Sequence, residues 1–414
     1  MNELKSLYEQ YVVPTYGRFD VAFERGAGSQ LWDFDGKRYV DMGCGIAVCS
    51  LGHAHPELSD ALSAQARKLV HVSNLYYTEP QATLAKQLVD LTGVGKMFFC
   101  NSGAEANEGL YKLARRFGHE SGRFEIITAH NSFHGRTMAG IAATGQEKVK
   151  IGFGPVMEGF TQVPFNDLEA VEKALSPATV AVMIEGVQGE GGITPATSEY
   201  LLGLRKFCDV NNLLLLMDAV QCGFFRTGNW QSYQTILSRD EVKSFQPDAI
   251  SMAKSLGGGF PIGSFWITEK HADLLGPGSH GTTFGGTPLA CAMASKIIEI
   301  VERDNLAGNA VAMGSLLKDE LNVIAEAHPN VINTVRGLGL MIGVELQNDI
   351  PDFQNSETPA SIQMVNKLHD ACLILIPAGT NVVRFLPALN LTQADAEEAL
   401  GIFRDTVAEL AGKK

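Results

Sequence analysis

LLLLMD, residues 213–218, is a run of five apolar residues closed by an acid. A short continuous apolar run of this kind predicts a buried strand. A carboxylate at its C-terminal end sits where open α/β sheets place their ligands. Burying Asp218 without a partner would be costly, so a cation is expected beside it; the alternative is an Asp that caps the following turn. Similar strand-like runs lie at 97–100, 125–128, 180–185, 249–252 and 264–267, with helix-like segments between several of them, such as 104–117 and 198–209. Apolar strands alternating with helices predict a mostly parallel sheet covered on both faces.

After about residue 305 the pattern changes. A helical stretch at 307–327 precedes strand-like runs at 331–335, 340–346, 373–376 and 382–385, and a last helix is expected from Thr392. This predicts an α/β chain with a large domain over 46–305 and a smaller α+β domain over 306–414. Residues 1–45 are expected to pack with the smaller domain, since 31–33 and 38–41 read as a hairpin around Asp35-Gly36. The polar segment 232–246 reads as an irregular surface insertion.

The chain has 414 residues, 45% of them apolar and 19% charged, as in ordinary globular enzymes. Its net charge is -13, with no block of Lys and Arg, which argues against a nucleic-acid partner. No apolar stretch approaches the ~20 residues needed to span a bilayer, and no signal core opens the sequence. Seven cysteines without CxxC spacing predict reduced thiols and a cytoplasmic location. His53-Ala-His55 lacks a third ligand, so a structural role and no metal are expected.

Several segments could carry chemistry. In Cys100-Asn-Ser-Gly-Ala-Glu-Ala-Asn107 a strand ends and a helix begins, and the free amides there suit a phosphate. Ser102 and Glu105 also fit a capping box, and the two readings are compatible. Lys254 directly follows an apolar strand and precedes Gly257-Gly-Gly259. Burial would lower its pKa and make it a nucleophile and base; otherwise it is a surface lysine beside a flexible loop. Phe133-His-Gly-Arg136 could stack on a ring and hold a carboxylate, or be a loop with a core Phe and a solvated Arg. Glu185 and Glu190 bracket a Gly-rich loop that is either a site or a turn. No Gly-rich stretch matches a nucleotide-binding motif in register.

Taken in order, SGAEAN, SFHGR, EGVQGEGG, MDAVQCG, AKSLGGGFPIG and HGTTFGG resemble the class III (ω-type) aminotransferases over nearly the whole chain. Thr15-Tyr-Gly-Arg18, Gly45-Ile-Ala-Val48 and Val72–Pro80 resemble the members acting on N-acetylornithine. The resemblance implies a fold-type-I pyridoxal-phosphate (PLP) transferase, normally a homodimer with shared sites. It implies that Lys254 forms the Schiff base with PLP, that Asp218 pairs with the ring nitrogen, that Gln221 meets the ring hydroxyl and that Phe133 stacks on the ring. Ser102, Gly103 and Ala104 would hold the phosphate, and Thr283 would reach the cofactor of the neighbouring subunit. Tyr16 and Thr282 would lie near substrate and Arg136 would bind its carboxylate. Glu190 and Arg384 would form a gate that opens for 2-oxoglutarate. The implied reaction passes the terminal amino group of N-acetylornithine to 2-oxoglutarate, giving N-acetylglutamate semialdehyde and glutamate in arginine biosynthesis. Ornithine, succinylornithine, succinyldiaminopimelate and 4-aminobutyrate are the alternative donors. Three departures stand out: Ala219 replaces the usual acid after the catalytic Asp, Thr287 replaces the usual Asn before Pro288, and 232–246 is longer than typical.

Overall fold

The computed structural model describes residues 2–354 and 356–412. Its centre is a seven-stranded sheet of β1 (Gly95–Cys100), β2 (Glu125–Ala129), β3 (Phe160–Val163), β4 (Thr179–Glu185), β5 (Leu214–Asp218), β6 (Ala249–Met252) and β7 (Gly263–Thr268). The order is β1-β7-β6-β5-β4-β2-β3. The pairings from β6 to β3 are all parallel, and β7 alone runs antiparallel to its neighbours. Every residue of β4 and β5 is buried, which is why they read as unbroken apolar runs rather than as an alternation. Each fully buried Leu or Ile there contributes roughly 1.5–3 kcal/mol of hydrophobic stabilisation.

The smaller sheet contains β8 (Ile332–Leu338), β9 (Met341–Leu346), β10 (Ile376–Ala378) and β11 (Val382–Phe385), in the antiparallel order β8-β9-β11-β10. The helices Leu306–Ala327 and Gln393–Gly412 pack beside it. The hairpin of Gln30–Asp33 with Arg38–Asp41 extends in parallel onto Leu373–Ile374, so the start of the chain joins a late strand.

Two expectations need correcting. Segment 232–246 is not irregular: it forms the helices Ser232–Ile236 and Arg239–Ser244, and Tyr233, Leu237 and Phe245 are core residues. Its few apolar residues are spaced so that the two short helices bury them while polar side chains face outward. The run 373–376 is two strands, because Leu375 separates a pairing to Arg38–Asp41 from one to β11. Thr287, the departure before Pro288, caps the helix Pro288–Arg303 by accepting the amide of Ala290 at 3.4 Å.

Candidate active site

Because β2, β4, β5 and β6 are parallel, their C-terminal ends open on one edge of the sheet, and a cavity of about 390 Å³ lies there. Its walls include Ser102, Gly103, Ala104, Phe133, Arg136, Glu190, Asp218, Gln221 and Lys254. Nine of the residues expected from sequence therefore meet in one place, although they span positions 102 to 254.

Asp218 forms the floor and is only 3% exposed. Its Oδ2 accepts from Asn107 Nδ2 at 2.7 Å and lies 2.8 Å from His134 Nδ1. Its Oδ1 accepts from the Val220 amide at 3.0 Å. Burial would lower the pKa of His134, but the Asp218 carboxylate overrides this and pushes it up. Neighbouring β4 ends in Glu185, in register with Asp218. Burial pushes the Glu185 carboxyl up to about 7, although it accepts from the amides of Gly189 at 3.1 Å and Phe133 at 3.2 Å.

Lys254 has a φ of 48°, in the left-handed region that side chains other than Gly seldom adopt. The turn is held on both sides: Ser255 Oγ donates to Ala47 O at 3.0 Å, and Ser50 Oγ donates to Ser255 O at 2.9 Å. Burial lowers the pKa of Lys254, with Glu190, Asp218 and Glu185 opposing and Arg384 assisting. This is the direction a nucleophilic amine requires.

At the opposite wall begins the helix Gly103–Gly118. Ser102 Oγ accepts the Glu105 amide at 3.2 Å, so it does cap the helix. Glu105 reaches Asn101 rather than Ser102, at 2.6 Å, so the reciprocal half of a capping box is absent. The amides of Gly103 and Ala104 belong to the first turn, where no intrahelical acceptor exists. Gly103 is required here because an added Cβ would come within 2.6 Å of Val220 Cγ1.

Arg384, on β11, is 1% exposed and sits behind the cavity wall. It meets Glu190 at 2.9 Å, Gln221 Oε1 at 3.2 Å and the Pro377 carbonyl at 2.9 Å. Burial works against the ionised form of Glu190, but Arg384 holds its carboxyl below the usual range.

Three expected residues lie elsewhere. Thr282 borders a smaller adjacent hollow and accepts from Asn101 Nδ2 at 2.9 Å. Thr283 is exposed and does not line this chain's cavity. Tyr16 is also absent from the cavity wall: it is 74% exposed, and its ring lies beside Arg18. Glu185, one of the two acids of the Gly-rich loop, lines the cavity with Glu190, whereas Asn107 and His134 line it with no individual role expected from sequence. No sequence spacing links Asn107 or His134 to Asp218.

PLP needs an anion cradle, a carboxylate for its ring nitrogen and an amine for its aldehyde. The free amides of the helix Gly103–Gly118, Asp218 and the partly desolvated Lys254 supply these in the lining of a single cavity. The donor set fits the cofactor.

A family model described as aminotransferase class-III matches residues 11–407. An acetylornithine aminotransferase of Gloeobacter violaceus is 44% identical over 410 residues, covering 98% of each chain. The solved N-acetylornithine aminotransferase of Stenotrophomonas maltophilia is 34% identical, with a TM-score of 0.81 over 98% of each chain. An ornithine aminotransferase structure from Toxoplasma gondii, described as having partial PLP occupancy at its active site, is 29% identical. Its TM-score is 0.90, over 99% of this chain and 94% of that one.

Proposed function

Because the chain belongs to the class III aminotransferases, we propose that it transfers the terminal amino group of N-acetylornithine to 2-oxoglutarate, a step of arginine biosynthesis. The fold is that of the type I PLP transferases, and PLP is its cofactor. The observation that carries the substrate reading is 44% identity, over 98% of both chains, to a relative named for that donor. The site supports it, since the cavity offers Lys254 for chemistry and Arg136 for a carboxylate, with Arg384 held behind its wall by Glu190.

When bound, PLP supplies an electron sink for the bond to the departing proton. Ser102, Gly103 and Ala104 would hold its phosphate, Gln221 its hydroxyl and Phe133 the face of its ring. Asp218 would keep a proton on the ring nitrogen, and His134 and Asn107 aim its carboxylate. Lys254 would bond to the aldehyde. When free, its lowered pKa suits it to take the proton at the substrate carbon and return it. Arg136 would grip the substrate carboxylate with its planar guanidinium. Glu190 would neutralise Arg384 while the amine donor is bound and release it for the second carboxylate of 2-oxoglutarate.

The same proposal includes a homodimer. Leu75, Tyr76 and Phe284 are large exposed apolar residues. Asn74, beside the first two, donates to the carbonyls of Thr282 and Gly285, so they share a face. A second copy on this face would bring Thr283, and on our reading Tyr16, toward the partner's cavity. The division into 1–45, 46–305 and 306–414 is supported by the two sheets, with the hairpin of residues 30–41 on Leu373–Ile374. No helix of the described residues is long and apolar enough to cross a membrane. Seven free cysteines support a cytoplasmic location.

The test is a donor panel at fixed 2-oxoglutarate: N-acetylornithine, ornithine, succinylornithine, succinyldiaminopimelate and 4-aminobutyrate. N-acetylornithine is expected to give the highest kcat/KM. Equal or faster turnover of free ornithine would overturn the assignment.

A further inference from the structure

Glu190 sits at the tip of a hairpin whose strands, Val187–Gln188 and Thr194–Pro195, pair antiparallel. Gly192 and Ile193 in the tip both have positive φ, at 91° and 55°. For a β-branched residue such as Ile193 this backbone is strained, so contacts must hold it there. Ala47, Val187 and Cys222 pack in the same buried cluster as Ile193, and further contacts come from the small sheet. Arg336 on β8, Gly343 on β9 and Arg384 on β11 form one rung, in register across three strands. Residues opposite each other in a sheet project to the same face. The two arginines therefore flank a bare glycine, and the hairpin tip lies on it. A Cβ at Gly343 would meet Ile193 Cβ at 2.9 Å and the Gly192 carbonyl oxygen at 3.2 Å.

The rung grips the tip twice. Arg384 takes the Glu190 carboxylate at 2.9 Å, and Arg336 Nε donates to the Gly192 carbonyl at 2.9 Å. Arg336 is held in turn by an ion pair with Glu345, which also accepts from Asn333 and Asn381. Arg384 also holds Gln221 at 3.2 Å and the Pro377 carbonyl at 2.9 Å. Among the described residues, no side chain other than Arg384 bonds Glu190. The group able to change partner is thus the Glu190 side chain, held in place by the seated tip.

We propose that Arg336 is a positioning residue for specificity. By clamping the Gly192 carbonyl it keeps Glu190 seated on Arg384, and so sets how readily Arg384 is released to a dicarboxylate. This rests on the reading of Glu190 and Arg384 as a gate. Apparent affinity falls with the fraction of competent state, so a loosened clamp must tighten dicarboxylate binding.

The experiment titrates the PLP-loaded enzyme with glutarate, a five-carbon dicarboxylate without the reactive keto group, and reads Kd by calorimetry. Glu190→Ala is expected to lower Kd by about 10-fold, and Arg336→Met by about 3-fold, through a larger open fraction. The double variant is expected to match Glu190→Ala alone, because Arg336 acts only through Glu190. General damage to the sheet would weaken glutarate instead, so the sign separates positioning from a merely structural role. If Arg336→Met is not recovered folded, Arg336→Lys, which keeps a cation beside Glu345 without the guanidinium fork, is expected to shift Kd the same way. Should Glu190→Ala tighten glutarate while neither Arg336 variant does, or should the Arg336 effect persist without Glu190, the clamp is wrong and the gate stands. An unchanged Kd in Glu190→Ala overturns the gate and the clamp with it.

Discussion

Asp218→Asn isolates the charge at the floor of the cavity while keeping its shape. The carboxylate accepts from Asn107 at 2.7 Å and from Val220 at 3.0 Å, and pairs with His134 at 2.8 Å. An amide can turn its oxygen toward the first and last of these, but its NH2 then faces the Val220 N–H, and one bond is lost. On the proposed role of Asp218, the larger effect would fall on the ring nitrogen of bound PLP, which would have no anion to hold its proton. Breaking one side of a buried ion pair costs about 3–5 kcal/mol. If that cost falls on the transition state, kcat drops roughly 10²–10⁴-fold, since each ~1.4 kcal/mol is a factor of ten. Cofactor binding should suffer far less, because the phosphate cradle and Lys254 are untouched. The assay is single-turnover conversion of N-acetylornithine by enzyme loaded to full PLP stoichiometry, with PLP affinity measured by equilibrium dialysis. A rate within threefold of the parent at full loading would refute the assignment of Asp218 as the group that keeps the ring nitrogen protonated.

Other outcomes follow from the same geometry. Lys254→Ala should lose the covalent link to PLP, seen as loss of borohydride-trappable cofactor, together with nearly all turnover; near-normal transamination would remove Lys254 from the mechanism. In Gly103→Ala the new methyl meets Val220, so PLP affinity should fall about 10-fold, the scale of one well-placed hydrogen bond lost; unaltered affinity would mean that the first turn of this helix does not bind the phosphate. His53 lies 2.7 Å from Asp41, whose carboxylate raises its pKa from 6.5 to about 10. A raised pKa gives stability that is fully present below pH 6.5 and is lost as pH climbs through 10. The shift sets a ceiling of roughly 5 kcal/mol, and with the ring partly exposed about 2 kcal/mol is expected. Urea unfolding from pH 6 to 10 should therefore show a decline in the parent that His53→Gln flattens; parallel curves would discount the pair.

The legible parts of the fold were those where one physical demand dominates. β4 and β5 are buried on both faces, so their sequence is apolar throughout, and the acids that end them mark the edge where ligands bind. β3 escaped notice because Phe160–Val163 lies at the sheet edge, is half-exposed and carries Thr161 and Gln162. The helices of 232–246 were missed because each is little more than one turn, too short to display a period. Within the site, Lys254 and Asp218 announced themselves by following apolar strands. His134 and Asn107 did not, since what defines them is a shared contact with Asp218 across 84 and 111 positions. Tyr16 marks the other limit. The resemblance puts it near substrate, but it does not line the cavity of its own chain.

The cavity's parts are made at very different times. Val48 and the carbonyl of Ala47, which anchors the Lys254 turn through Ser255, are made well before Lys254, while Arg384 follows Lys254 by 130 residues. A nascent chain stalled before β11 would have its lysine and its aspartate but no Arg384 to receive a second carboxylate. On the proposed gate, tight dicarboxylate binding would therefore wait for β11, and its appearance during synthesis would time the docking of the smaller sheet.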